Sequence, residues 1–263
     1  MSDNAAVLVA RSEGIGWLTL NRPTRGNSID FQLVEELDAA AKDCAADQSV
    51  RCVVLSGSGR FFCAGGDLNL FNDAGAERSN LLAKLAAILH SALSSFARMR
   101  KPLLTLINGP AAGAGLSLSL CGDVVLAARS AYFTSAYTAI GLTPDGGMTW
   151  MLPRLIGVRR AQEMMLTNRS VTANEAQRMG LVTRVVSDES LAEEGAKLAS
   201  KLAQSATEAL GATRALILNS IQTSFEAQLS AEAHAIAAAG ARPECAEGIS
   251  AFLSKRLPIF DGK

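Results

Sequence analysis

Two turns built from small residues set the strongest limit on how this chain can fold. Phe61-Phe-Cys-Ala-Gly-Gly-Asp67 follows the apolar run Cys52–Ser56, and Asn108-Gly-Pro-Ala-Ala-Gly-Ala-Gly115 follows Leu103–Ile107. Leucine- and valine-rich runs that end in glycine predict strands whose ends let the backbone pass close to another object. Two strand ends with bare N–H groups can bind one carbonyl oxygen between them, which is the geometry of an oxyanion hole.

The rest of the chain alternates strand and helix signals. Val7–Ala10 and Ile15–Leu20 flank Glu13-Gly14 and predict a hairpin. Ser28 and Asp30 are candidate caps for a helix running to about Ala45, with Leu33, Val34 and Leu37 on one face. A second amphipathic helix is predicted from about Asn80 to Arg98, with Leu82, Leu85, Leu89 and Phe96 at core spacing. After the second turn come a helix over 114–121, a strand at Val124–Ala127, and a helix from Arg159 to Leu166. Thr172-Ala-Asn-Glu175 is a capping box that opens a short helix stopping at Gly180, and Leu181–Val186 reads as a strand. The pattern changes after Asp188: residues 190–251 are rich in Ala, Glu and Leu and predict two to four helices. The fold class is therefore α/β. We assign residues 1–195 to a core that binds ligand and performs chemistry, and 196–263 to a helical region for oligomer contacts and cover of the site.

Composition excludes several functions. The 25 acidic and 25 basic side chains cancel, whereas a nucleic-acid binder carries a basic excess. The five cysteines have no CxxC spacing and suggest reduced thiols in a cytoplasmic protein. With only two histidines, His90 and His234, no histidine metal site is expected. Met1-Ser-Asp-Asn4 lacks the features of a signal peptide. Pro102–Gly122 has no charge and the length of a membrane span, but Asn108, Gly109 and Pro110 interrupt it. It reads as a buried strand, turn and helix, and no membrane contact is expected.

Several residues are candidates for chemistry, each with an ordinary alternative. Asp67 suits stabilisation of the loop or of a helix N-terminus better than catalysis. The start of the helix after Ala111–Gly115 offers free N–H groups at the positive end of its dipole, although Gly and Ala there also favour close packing. Asp145, in Gly141-Leu-Thr-Pro-Asp-Gly-Gly147, would usually be a solvated turn residue. Its neighbours Ile140, Leu142, Met148 and Trp150 instead predict a buried carboxylate of the kind general acid–base chemistry uses. His90 lies beside an apolar helix stripe, and Tyr137 fits a core position. Arg22 and Arg25 flank Pro23 and are reasonable phosphate contacts in a neutral protein.

As a set, Asn21-Arg-Pro23, Phe62-Cys-Ala-Gly-Gly-Asp-Leu68, Asn108–Leu116, Cys121-Gly-Asp123, Gly141–Gly147 and Ala173-Asn-Glu-Ala176 resemble the crotonase (enoyl-CoA hydratase/isomerase) superfamily, in order along nearly the whole chain. The resemblance implies a spiral of ββα units, a helical C-terminal trimerisation region, an acyl-CoA thioester ligand and a homotrimer or dimer of trimers. It implies no cofactor beyond the coenzyme A moiety of the substrate. It assigns the two N–H donors to Gly66 and Ala114. It puts the Ala64 carbonyl near the CoA adenine, Arg25 near the phosphates, and Asp67 and Leu68 at the same binding turn.

Departures from the family pattern bear on the reaction. Hydratases of this family carry two glutamates where this chain has Ser117 and Tyr137. Asp145 stands where a subset keeps its catalytic acid, and Gly141–Arg154 resembles the isomerases of ring-epoxidised phenylacetyl-CoA, which also shift enoyl-CoA double bonds. A competing resemblance is to 4-chlorobenzoyl-CoA dehalogenase, whose nucleophilic aspartate, water-activating histidine and tryptophan match Asp145, His90 and Tyr137. The expected activity is an acyl-CoA isomerase with Asp145 as acid/base. The alternatives are a hydratase with unusual water activation, a dehalogenase, and a weakly active acyl-CoA-binding or scaffold protein.

Overall fold

A computed structural model describes residues 5–260, so the Met1–Asn4 start and residues 261–263 fall outside it. The N-terminal hairpin pairs β1 (Val7–Ser12) antiparallel with β2 (Ile15–Leu20). Glu13 and Gly14 turn it with φ of 52° and 76°, the doubly left-handed backbone that a two-residue hairpin requires. Helix α1 (Phe31–Ala46) is capped by Asp30, whose carboxylate accepts from the Leu33 N–H. Ser28, the other expected cap, instead donates its hydroxyl to the Arg25 carbonyl.

Then follow β3 (Cys52–Gly57), α2 (Leu68–Asp73), α3 (Arg78–Arg98), β4 (Leu103–Ile107), β5 (Ala111–Ala112) and α4 (Ala114–Ser119). After them come β6 (Val124–Ala128), β7 (Tyr132–Thr134), α5 (Met148–Ile156), α6 (Val158–Thr167), β8 (Val171–Thr172), α7 (Ala173–Met179) and β9 (Arg184–Val186). The chain closes with α8 (Leu191–Ala203), α9 (Thr207–Ser220), α10 (Phe225–Gly240) and α11 (Pro243–Leu253). The uncharged run at 102–122 is thus β4, β5 and α4.

The main sheet has the order β1-β2-β3-β4-β6-β9 and is parallel from β2 onward. In β3 and β4, successive residues alternate between two cores. Val53, Leu55, Leu103 and Ile107 face one, and Cys52, Val54, Leu104 and Leu106 face the other. Burial on both faces is why these strands read as continuous apolar runs. After β3, β4 and β6 the chain adds a short extended piece to a second ladder. Cys63 bridges Ala111, and β5 pairs in parallel with β7. Strand, short strand and helix repeat as ββα units wound into a spiral.

Three expectations are adjusted. The strand over 181–186 is confined to β9, because the Leu181 and Val182 N–H groups turn back to the Ala176 carbonyl and finish α7. Helix α5 is an element that the sequence reading did not assign, and Pro153 sits inside it without a backbone donor. The division at 195/196 passes through α8, whose Leu191, Ala199 and Ala203 pack on Leu104, Leu106 and Leu126 of the sheet. A Cβ on Gly195 would lie 2.5 Å from Leu106 Cδ1, so this helix seats directly on the sheet.

Candidate active site

Backbone contact joins the two small-residue turns. The Phe62 and Cys63 N–H groups donate to the Pro110 carbonyl at 3.1 and 3.2 Å, and the Ala112 N–H donates to the Cys63 carbonyl at 3.0 Å. This approach leaves no room for side chains. A Cβ on Gly115 would lie 2.1 Å from the Cys63 oxygen. Gly65 has φ of +97°, and a Cβ there would lie 2.9 Å from the Ala112 oxygen and 3.6 Å from the Ala114 nitrogen. Gly66 and Ala114 consequently line the same cavity, of about 500 Å³. Among the described residues, neither N–H has a hydrogen-bond partner. Ala114 is the first residue of α4, where helical N–H groups have no partner within the helix.

The cavity wall is apolar, with Ile29, Phe71, Leu82, Leu85, Leu89 and Leu142 among its residues, and Asp145 is its only charged side chain among the described residues. Asp145 is half-buried, less enclosed than its apolar neighbours in sequence predict. The Tyr137 hydroxyl donates to Asp145 Oδ1 at 2.5 Å. Tyr137 is buried, and burial, followed by the nearby Asp145 charge and this hydrogen bond, holds its pKa well above the usual tyrosine value. The phenol therefore keeps its proton and acts as the donor. Asp145 Oδ2 has no such partner among the described residues and is left for a ligand.

Behind the cavity, the buried Ser117 donates its hydroxyl to the Asp145 carbonyl at 2.9 Å. The Gly146 N–H donates to His90 Nε2 at 3.0 Å. Gly146 has φ of +61°, and a Cβ there would lie 2.7 Å from Ser117 Cβ. His90 is exposed and does not line the Asp145 cavity; it faces a second hollow of about 950 Å³ with Ser117, Gly146 and Trp150.

At the cavity mouth, Ala64 and the exposed Leu68 line the wall. The Ala64 N–H is tied to the Gly26 carbonyl at 2.8 Å. The buried Asp67 caps α2, accepting from the Asn69 and Leu70 N–H groups at 3.0 and 3.3 Å, and pairs with Arg25. Arg25 also lies 3.5 Å from Asp30, and about half its side chain faces solvent. Arg22, the other expected phosphate contact, pairs with Asp30 and is mostly buried. Phe71 was missed as a wall residue because α2 was missed. The signal was Asp67 as a cap ahead of Leu68 and Phe71, three residues apart. Phe71 packs so closely on the first turn that a Cβ on Gly66 would lie 2.3 Å from its Cζ.

Comparison with known proteins gives a family match and full-length relatives. Residues 10–263 match the enoyl-CoA hydratase/isomerase family. The chain is 39% identical over 252 residues to 1,2-epoxyphenylacetyl-CoA isomerase of Escherichia coli K12, covering 95% of this chain and 96% of that protein. It is 33% identical over 260 residues to 4-chlorobenzoyl coenzyme A dehalogenase-2 of an Arthrobacter species, covering 98% and 94%. The crystal structure of an enoyl-CoA hydratase from Bacillus anthracis superposes with a TM-score of 0.92 at 31% identity, covering 98% of this chain and all of that one.

Proposed function

The chain belongs to the enoyl-CoA hydratase/isomerase family, and on that premise we propose that it is an acyl-CoA isomerase acting on an enoyl- or phenylacetyl-type CoA thioester. The observation that carries this reading is that, among the described residues, a single carboxylate, Asp145, stands with a free Oδ2 in an apolar cavity that also presents the unpartnered N–H groups of Gly66 and Ala114.

In this mechanism the thioester oxygen accepts hydrogen bonds from Gly66 and Ala114. For a 3-enoyl thioester, Asp145 Oδ2 takes a proton from the α-carbon. The electron pair moves into the thioester carbonyl and forms a dienolate, whose charge the two N–H groups stabilise as it develops. Reprotonation at the γ-carbon by the same carboxyl leaves the double bond between α and β. One such donor typically contributes about 2.7–4 kcal/mol of transition-state stabilisation. Tyr137 holds Oδ1 and so orients the carboxylate. One carboxylate suffices because the same proton is carried from carbon α to carbon γ of one dienolate. With an epoxidised phenylacetyl group, the same enolate would drive opening and rearrangement of the ring epoxide.

The neighbouring chemistries are less well supported. Hydration by the family's usual route needs a second carboxylate, but positions 117 and 137 hold Ser and Tyr. A dehalogenase needs a histidine free to activate water, whereas His90 Nε2 is already taken by the Gly146 N–H. A scaffold role needs no open apolar cavity. For the CoA moiety, the Ala64 carbonyl and Leu68 at the mouth would receive the adenine end, with Arg25 near the phosphates once it turns from Asp67.

We further propose a homotrimer or dimer of trimers, supported by the apolar residues that α10 and α11 leave exposed, among them Phe225, Ile236 and Phe252. Light scattering on the purified protein checks this assembly. The reaction is tested by turnover on 3-enoyl-CoA, 2-enoyl-CoA, epoxidised phenylacetyl-CoA and 4-chlorobenzoyl-CoA. Isomerisation should dominate, and preferential hydration or chloride release would overturn the assignment.

A further inference from the structure

One peptide unit is held at both of its polar atoms by side chains from two separate helices. Between Asp145 and Gly146, the carbonyl accepts from Ser117 Oγ of α4 at 2.9 Å and the N–H donates to His90 Nε2 of α3 at 3.0 Å. A peptide is a rigid plane, so restraint of its oxygen and its N–H fixes the orientation of the whole unit. Gly146 allows this seating, because its left-handed φ of +61° and close approach to Ser117 suit no other residue. The buried Gly146 N–H would lose its only partner among the described residues if His90 lost its acceptor nitrogen.

We infer that His90 and Ser117 are positioning residues that lock the Asp145–Gly146 peptide and thereby aim the Asp145 carboxylate into the cavity. Neither lines that cavity; both act from the hollow behind it. The inference rests on the reading of Asp145 as the acid/base. It gives His90 a role that requires no contact with substrate and no activated water. Ser117 belongs to the helix that carries the Ala114 N–H, so His90 is the cleaner of the two to test.

The experiment compares wild type, His90→Leu and His90→Gln by kinetics on 3-enoyl-CoA and by hydrogen–deuterium exchange of peptides containing the Gly146 amide. Leucine removes the acceptor, whereas the glutamine side-chain oxygen supplies one at a similar reach. In His90→Leu the Gly146 amide should exchange roughly 100-fold faster. Its kcat should fall about tenfold while KM stays within about threefold, the split that marks lost transition-state alignment. His90→Gln should recover most of both losses. If His90→Leu does not fold, Ser117→Ala removes the other restraint and should show the same split in kcat and KM. An amide equally protected in His90→Leu would overturn the clamp. A released amide with unchanged kcat would overturn its positioning role. A wild-type protein with no isomerase activity would overturn the reading of Asp145, and with it the positioning role, while amide exchange would still decide the clamp.

Discussion

The Tyr137 hydroxyl donates a 2.5 Å hydrogen bond to Oδ1 of Asp145, binding a charged side chain of the cavity wall to a buried phenol that keeps its proton. The pair divides the carboxylate into a held oxygen and a free one. Tyr137→Phe should leave Asp145 in place but less well aimed. We expect kcat on 3-enoyl-CoA to fall roughly tenfold, about 1.4 kcal/mol, with KM little changed. Steady-state kinetics checks this, and an unaltered kcat would remove Tyr137 from the mechanism.

The same pair predicts a pH effect on stability. Burial, then the Asp145 charge, raises the folded pKa of Tyr137 above its unfolded value. The neutral phenol is thus favoured in the folded state. Its contribution is complete below the ordinary tyrosine value of about 10 and is lost as pH rises from there towards the raised folded value. Between about pH 8 and about pH 10.5, the urea midpoint of wild type should drop more than that of Tyr137→Phe. Equal drops would contradict the assignment.

Gly115 tests the contact between the turns. A Cβ there meets the Cys63 carbonyl at 2.1 Å, and backbone cannot move aside as a side-chain tip can. Gly115→Ala should destabilise the fold by at least about 1–3 kcal/mol, the usual cost of overpacking. It should also abolish turnover, because Gly66 and Ala114 would no longer face one oxygen. Urea denaturation and activity measured on the same sample check both outcomes.

Much of this arrangement was legible in the chain. The apolar runs at Cys52–Ser56 and Leu103–Ile107, each ending in glycines, marked two strands with close-passing ends, because a strand buried on both faces reads as a continuous apolar run. Asp30, Thr172 and Gly180 marked helix boundaries through capping chemistry. The second ladder was not legible: Ala111–Ala112 and Val171–Thr172 are two-residue strands whose pairing depends on distant partners. Helix α5 was hidden by Pro153, since local propensity says break while the tertiary fold tolerates one missing donor. Asp145 stood out by its apolar neighbours. The restraint of its backbone by His90 and Ser117 spans 56 and 28 residues of sequence, and no local pattern encodes it.

The dehalogenase alternative predicts a covalent adduct. If Asp145 attacks an aryl carbon, the resulting ester needs an activated water for hydrolysis. With His90→Gln and 4-chlorobenzoyl-CoA, intact-protein mass spectrometry should show no added mass. Accumulation of an aryl adduct would make Asp145 a nucleophile and His90 its partner base.

The central claim is that Asp145 alone moves the proton, and one comparison tests it most directly. Asp145→Asn keeps the size and Tyr137 contact of the side chain but removes the base. Conversion of 3-enoyl-CoA to 2-enoyl-CoA is followed by the absorbance of the conjugated thioester, and affinity for a CoA ester is measured on the same protein. The account predicts turnover reduced by roughly a thousandfold or more, with affinity within a few-fold of wild type. Turnover of Asp145→Asn within tenfold of wild type would contradict it.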